Sequence, residues 1–538
     1  MPHPEPSNNN NTIVRNNRSL QEARQQVNKI LHPGLMAAQN PEKLAVALSD
    51  RSATMTYGEF EATSNRFANA LKNGGAQTGD VLAILMENRI EFLALAWGAL
   101  RVGLRVTAIA THLSATEIDY ILTDSQALFM VTSPRFFDTL ERLHLPQTVF
   151  ALDDTGGQFI ALDFLLPTLP ATPPPYQTEG VEMLYSSGTT GSPKGILKPP
   201  PIGPFGQVSA IYQNISQLYQ IDRNTRFLSP APLYHAAPWV YSFRTLRAGG
   251  TVVIMPKFTP EDALAAIENY CITHSQWVPT HFVRMLNLPA EIRTGYDLSS
   301  QRCVLHSAAP CPKTVKNAMI DWWGPIIREY YAGSEGNGHV SITAAEWQTR
   351  PESVGRAKAG IVHICDENGN ELPTGSEGTI YFEGGPTFEY LNDPVKTKAC
   401  YNSQGWSTLG DIGMLDADGY LYLKDRKTDL IISGGVNIYP REVENAMLLH
   451  PKVTDVAVFG IPDTDLGARV VATIQPCESA FYSEALAREI LDFCRHHLSP
   501  VKCPKEIMFK PDLPRTESGK LNKLVLRATF IAQMNRPA

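Results

Sequence analysis

The residues of this 538-residue chain whose types and spacing best suit chemistry run from Leu184 to Gly195, Leu-Tyr-Ser-Ser-Gly-Thr-Thr-Gly-Ser-Pro-Lys-Gly. Seven of the eight residues from Ser186 to Pro193 are Ser, Thr or Gly. Glycines let backbone N–H groups turn toward one point, the hydroxyls add donors, and Lys194 adds a charge, a combination suited to a polyphosphate. Ser186, Ser187, Gly188, Thr189, Thr190, Gly191 and Lys194 are the candidate phosphate-binding residues. The stretch is not a Walker loop, because after Gly188 and four intervening residues the pattern needs Gly-Lys-Ser/Thr and the chain has Pro193. Alone, such a loop is also what an ordinary Ser/Gly connection looks like, so its meaning depends on its company.

That company exists. YSSGTTGSPKG resembles the phosphate loop of the adenylate-forming (AMP-binding) superfamily, which includes acyl-CoA synthetases, peptide-synthetase adenylation domains and beetle luciferases. Further motifs of the superfamily follow in the same order, ending at Lys520. Tyr330-Tyr-Ala-Gly-Ser-Glu-Gly336 resembles its Tyr-Gly-x-Thr-Glu. The resemblance puts Tyr331 on the adenine face, Ser334 near the α-phosphate and Glu335 on Mg²⁺, a cation that favours one or two carboxylates plus phosphates and waters. Ala332 and Ser334 replace the usual Gly and Thr, keeping small size and a hydroxyl. Gly405-Trp-Ser-Thr-Leu-Gly-Asp411 resembles the Gly-Trp…Thr-x-Gly-Asp motif, which makes Asp411 an acceptor for the ribose hydroxyls. By the same resemblance Arg426 is a second ribose contact and the hinge lies at 426–428, with Thr428 where relatives often carry Lys or Asp. Gly434 and Gly435 fall in the glycine loop on the thiol side.

Near the C-terminus, Pro514-Arg-Thr-Glu-Ser-Gly-Lys520 resembles the loop bearing the adenylation lysine. A cation there bridges two anions, the attacking carboxylate and the α-phosphate, and lowers their repulsion in the transition state. His235, in Pro230-Ala-Pro-Leu-Tyr-His-Ala-Ala-Pro238, is expected at the junction of acyl pocket and thiol tunnel; its spacing gives no support for a general base. Ser307-Ala308-Ala309-Pro310 looks like the small-residue loop under the adenine. Lys198-Pro-Pro-Pro201 departs from the superfamily, since three prolines favour extended chain where relatives begin a helix.

The elements that must carry these motifs are legible from periodicity. Val81–Met86 is an apolar run after a Gly-Asp turn, 90–102 has apolar residues at helical spacing, and a second apolar stretch follows near Val106: strand, helix, strand. The pattern recurs around Phe227, 261–271, Gln276, 281–287, Cys303 and 312–323, predicting a large α/β body with a parallel sheet. Pro167–Pro175 reads as a stiff spacer, and from Val362 the chain becomes β-rich with Asp-Gly turns, as in a β subdomain. After about Thr428 comes a compact α+β unit, with helices at 440–449 and around 486–498 and strands at 453–459 and 506–509. The expected division is a flexible tail over 1–25, an N-terminal domain holding the ATP and acyl sites over 26–425, and a small mobile lid over 426–538.

Composition narrows the function classes. With 47 Lys and Arg against 54 Asp and Glu, the chain carries a net charge of −7 and no basic footprint for nucleic acid. Hydrophobic residues make up 43%, enough for a sizeable core. The eight cysteines include no C-x-x-C pair and read as reduced thiols, most of them buried. No window reaches the ~18 uncharged apolar residues of a membrane span, and the expectation is a cytoplasmic protein. The resemblance implies a two-step carboxylic acid–CoA ligase using ATP, Mg²⁺ and coenzyme A, with a homodimer carried over from relatives. Trp239, Trp277 and Phe282 read as pocket lining or as core; the former favours an apolar or bulky acid, with a fatty acid, an aryl-propenoate and a steroid side-chain acid all open. The 383–440 stretch resembles bacterial medium- or long-chain and steroid-acid ligases. Alternatives are an adenylation enzyme loading a carrier protein in trans, a luciferase-like oxygenase, and a non-catalytic nucleotide-binding protein.

Overall fold

The computed structural model describes residues 29–154, 156–186, 193–426, 429–433, 436–463, 466–477, 482–515 and 521–534. The expected tail over 1–25, Ser187–Gly191, Thr428, Gly434, Gly435 and Lys520 lie outside these, and Arg426 is described by its backbone.

Two sheets build the N-terminal body. In the first, six strands are all parallel, with Val81–Leu85 between Phe129–Thr132 and Arg105–Ala108. Every residue of Val81–Leu85 is buried, which is why it reads as a continuous apolar run: both of its faces are covered. Helix Tyr57–Asn73, opened by a capping box between Thr56 and Glu59, packs on helix Glu91–Arg101. A Cβ at Gly98 would lie 2.6 Å from the Ser64 carbonyl oxygen, so glycine permits that crossing.

The second sheet has thirteen strands. One half is parallel, running through Thr251–Ile254, Arg226–Ser229, His274–Trp277, Cys303–His306 and Ile327–Tyr331. The next strand, His339–Thr343, is antiparallel, and so are its successors out to Ile361–Cys365. The β-rich stretch after Val362 therefore extends the main sheet. Of the expected spacer, Leu166–Thr168 forms a 3₁₀ turn, and the Asn65 and Asn69 side chains hold the carbonyls of Pro170, Ala171 and Thr172. All eight cysteines are free thiols. No described helix is long and apolar enough to cross a membrane.

Strand Leu421–Arg426 is the last of the large sheet; the hairpin Ile431–Ser433 with Val436–Ile438 follows. Beyond it, Val453–Asp463 pairs antiparallel with Gly467–Pro476, which pairs parallel with Glu506–Phe509. Alternate residues of Val453–Asp463 serve two cores. Val456 and Val458 face Val443, Met447 and Ile490, while Ala457 and Phe459 face Leu526 and Phe530.

Trp239, Trp277 and Phe282 are core: none is more than 2% exposed. Trp277 and Phe282 pack with Met319 and Trp323 in a different cluster from Trp239. Beside that second cluster lies a buried ion pair, Lys316 Nζ to Glu329 Oε2 at 2.5 Å, with the Lys316 ammonium 4.6 Å from the centre of the Trp347 ring. His306 Nε2 is 3.9 Å from the same Glu329 oxygen. Burial would raise the Glu329 carboxyl, but the Lys316 ammonium outweighs it and holds the group below its ordinary value.

Removing one partner strands the other in apolar surroundings. Lys316→Met is expected to destabilise the protein by about 3–5 kcal/mol, with Lys316→Met/Glu329→Gln recovering most of the loss; chemical unfolding measures both, and equal losses would contradict the pairing. Burial also pushes His281, His306 and His339 down to about 3 from 6.5. These imidazoles are neutral when folded and gain protons on unfolding, so the stability they supply is complete above pH ~6.5 and lost as the pH falls toward 3. The melting temperature should drop from pH 7 to pH 5, less steeply in His306→Met; a flat profile would contradict this.

Candidate active site

The phosphate-loop motif is bracketed by a hairpin. Tyr185–Ser186 pairs antiparallel with Lys194–Leu197, Ser186 opposite Lys194. The Tyr185 hydroxyl donates to Asp124 Oδ2 at 2.7 Å, and Asn392 Nδ2 donates to Asp124 Oδ1 at 3.0 Å. Asp124, on helix Ala115–Ser125, thereby ties the first strand of the hairpin to the segment that follows Glu389–Tyr390. Glu389–Tyr390 adds a third strand, with Ile196 opposite Tyr390.

That third strand joins the phosphate motif to the Glu335 motif. The Lys194 ammonium lies 5.2 Å from the centre of the Tyr390 ring, and the Tyr390 hydroxyl donates to Glu335 Oε1 at 2.9 Å. Burial and the Glu335 charge push the Tyr390 hydroxyl well above its ordinary value, so it stays a donor. Burial, and then the neighbouring ammonium of Lys396, lowers Lys194. Two cations crowded in a partly buried place is an arrangement that an anion relieves. Ser334 and Glu335 sit in a turn closed by Gly336 N–H to the Gly333 carbonyl at 3.1 Å. This turn links the last parallel strand to the first antiparallel one, the place where the sheet changes character. Among the described residues no cluster of three or more His, Cys, Asp or Glu could hold a metal. Mg²⁺ needs no such cage when phosphates supply most of its ligands. A single buried carboxylate, one oxygen held by Tyr390, fits that requirement.

Tyr331 and Asp411 are brought together directly: the tyrosine hydroxyl donates to Asp411 Oδ2 at 2.6 Å. The Tyr331 ring lies along Phe382, centroids 6.1 Å apart. Asp411 and Arg426 face each other in register on adjacent antiparallel strands, which is how two motifs separated in sequence reach one place. Ala308 follows strand Cys303–His306 with φ +74°, a left-handed conformation that costs a non-glycine residue about 1–2 kcal/mol. Small size explains alanine there, but the backbone conformation is a second constraint the motif did not disclose. Strain of this kind gathers at functional loops.

His235 precedes helix Ala236–Arg247, its ring 4.5 Å from that of Tyr234. The turn before it is fixed by Asn88, which donates to the carbonyls of Ala231 and Met255 and accepts from the Leu233 N–H. Asn88 belongs to the loop after Val81–Leu85, so it stitches the first sheet to the second. Sequence reasoning missed Asn88, Asp124, Lys396 and Tyr390, whose partners come from distant strands. At the three-proline run, Lys198 pairs with Glu182 at 2.9 Å, and its ammonium lies 3.7 Å from where a Cβ on Gly336 would stand. The run leaves from beside the Glu335 turn, and Gln207–Val208 beyond it pairs with Lys29–Ile30.

Comparison with known proteins identifies the family. Residues 36–389 match the AMP-binding enzyme family and residues 442–520 match the AMP-binding enzyme C-terminal domain. A long-chain-fatty-acid–CoA ligase of Mycobacterium tuberculosis is 28% identical over 92% of this chain and 97% of its own. An indoleacetate–CoA ligase of Aromatoleum aromaticum is 30% identical over 93% and 98%. Among solved structures, the amide bond synthetase McbA of Marinactinospora thermotolerans superposes with a TM-score of 0.78 at 26% identity, covering 93% of this chain and 99% of that one.

Proposed function

The chain belongs to the AMP-binding enzyme family, and from that premise we propose that it is an ATP-dependent carboxylic acid–CoA ligase acting on an apolar acid. The observation that carries the reading is the chain of contacts Lys194–Tyr390–Glu335 beside Tyr331–Asp411, which gathers four motif residues around one place. The substrate carboxylate oxygen forms a bond to the α-phosphorus of ATP as the bond to pyrophosphate breaks, leaving an acyl-adenylate. The thiol of CoA then attacks the acyl carbon and AMP leaves.

In the first step the phosphate hairpin and Lys194 hold the triphosphate, Asp411 and Arg426 the ribose, and Tyr331 and Ala308 the adenine. Glu335 is the residue that would hold Mg²⁺, which supplies charge neutralisation on the phosphates. Lys520 bridges the two anions as they meet. In the second step the 426–538 unit turns about 426–428, withdraws Lys520 and presents the Gly434–Gly435 side to the thiol, with His235 as a wall between acid and tunnel. Residues 426–538 act as the mobile lid, and the setting is the cytoplasm. Trp239, Trp277 and Phe282, being core, give no measure of the acid's length. A fatty acid, a steroid side-chain acid and an aryl acid such as indoleacetate fit equally well.

Release of AMP from ATP and Mg²⁺, followed across a panel of acids with and without CoA, tests the reading. AMP release that requires both CoA and an apolar acid is expected. Acid-dependent pyrophosphate exchange with no thioester to CoA favours a carrier protein or an amine as acceptor instead. No turnover with any acid favours a non-catalytic nucleotide-binding protein. Lys520→Ala should slow adenylate formation about 10²–10³-fold, the scale seen when one oxyanion donor is lost. Thioester formation from a supplied adenylate should stay near the parent rate; equal loss in both would contradict the role of Lys520.

A further inference from the structure

Glu335 is only 9% exposed, and its two oxygens are treated differently. Oε1 accepts from the Tyr390 hydroxyl at 2.9 Å. Oε2 lies against Gly333, 2.8 Å from where a Cβ on that glycine would stand, and has no hydrogen-bond donor among the described residues. A carboxylate with one oxygen held by a donor and the other left open can take a cation on its open oxygen without losing the bond that orients it. Tyr390 is itself fixed on three sides. Its strand is in register with Ile196, its ring stands edge-on to Phe388 at 5.6 Å, and the Lys194 ammonium lies 5.2 Å from the ring centre.

We propose that Tyr390 is a positioning residue for the cation that accompanies ATP. Its hydroxyl pins one oxygen of Glu335 and leaves the other for the metal, while its ring fixes that carboxylate relative to Lys194. The inference rests on the reading of Glu335 as the Mg²⁺ ligand. A ligating carboxylate held by a second group is the usual construction of a metal site, and loss of the outer group typically weakens metal affinity about 10–100-fold.

The test is Mn²⁺ binding to the full-length protein, followed by electron paramagnetic resonance with α,β-methylene-ATP present. Binding of the same nucleotide in EDTA is measured in parallel by calorimetry. Tyr390→Phe keeps the ring, its packing and the Lys194 contact and removes only the hydroxyl. Mn²⁺ affinity should fall about tenfold, with nucleotide binding in EDTA changed less than twofold. Mn²⁺ affinity within twofold of the parent overturns the proposal. So does a parallel loss of metal and metal-free nucleotide binding, which marks a general structural role. Glu335→Gln separates the two levels. If it weakens Mn²⁺ binding while Tyr390→Phe does not, only the positioning role fails; if it binds Mn²⁺ as the parent does, the ligand reading fails and the inference falls with it.

Discussion

The hydrogen bond from Tyr390 to Glu335 joins residues 55 positions apart, and the candidate site is arranged around it. On one side is the hairpin that carries the phosphate motif, tied down through Asp124 and Asn392. On the other is the turn between the parallel and antiparallel halves of the thirteen-stranded sheet. A carboxylate in so dry a place must be held or neutralised, because an unpaired charge there would be costly. That constraint explains why a third strand crosses the hairpin and why its tyrosine is buried with its hydroxyl pointed inward.

The parallel sheets play a different part. Cys303–His306 and Ile327–Tyr331 end at the Ala308 and Glu335 loops, in keeping with the tendency of open α/β sheets to bind ligands at the carboxyl ends of their strands. Behind them lie the aromatic core around Trp277 and the buried Lys316–Glu329 pair. Glu329 lies two residues before Tyr331 on one strand, so the ion pair and the tyrosine that holds Asp411 share a face of the sheet. Rigidity in that buried layer is what allows the loops above it to be strained, as at Ala308.

Much of this was legible in the sequence because the motifs are local. The resemblance that singles out Tyr331, Ser334 and Glu335 is carried by one short run, and these residues lie on one strand and its following turn, as Ser186 and Lys194 lie at facing positions of one hairpin. Periodicity located Val81–Leu85 and Glu506–Phe509 because each is a short apolar run between clear turns. What was not legible depends on pairing between distant segments. Tyr390 matters only because Ile196 lies opposite it, and Asn88 only because the Ala231 turn folds onto it. The β-rich stretch after Val362 gave no sign that it extends the main sheet, since that follows from Ser353–Ala359 pairing with Leu421–Arg426. The positive φ of Ala308 was hidden because alanine gives no warning of a left-handed backbone, as glycine would. Trp277 and Phe282 were ambiguous for a simpler reason: an aromatic residue looks the same in a pocket wall as in a core.

The account turns on one bond, from the substrate carboxylate oxygen to the α-phosphorus of ATP. The direct measurement uses an acid that supports turnover, labelled with ¹⁸O in both carboxylate oxygens, and mass spectrometry of the AMP formed with CoA. The account predicts one labelled oxygen in each AMP and none in pyrophosphate. Unlabelled AMP, or label recovered in inorganic phosphate, would mean that the carboxylate does not attack the α-phosphorus.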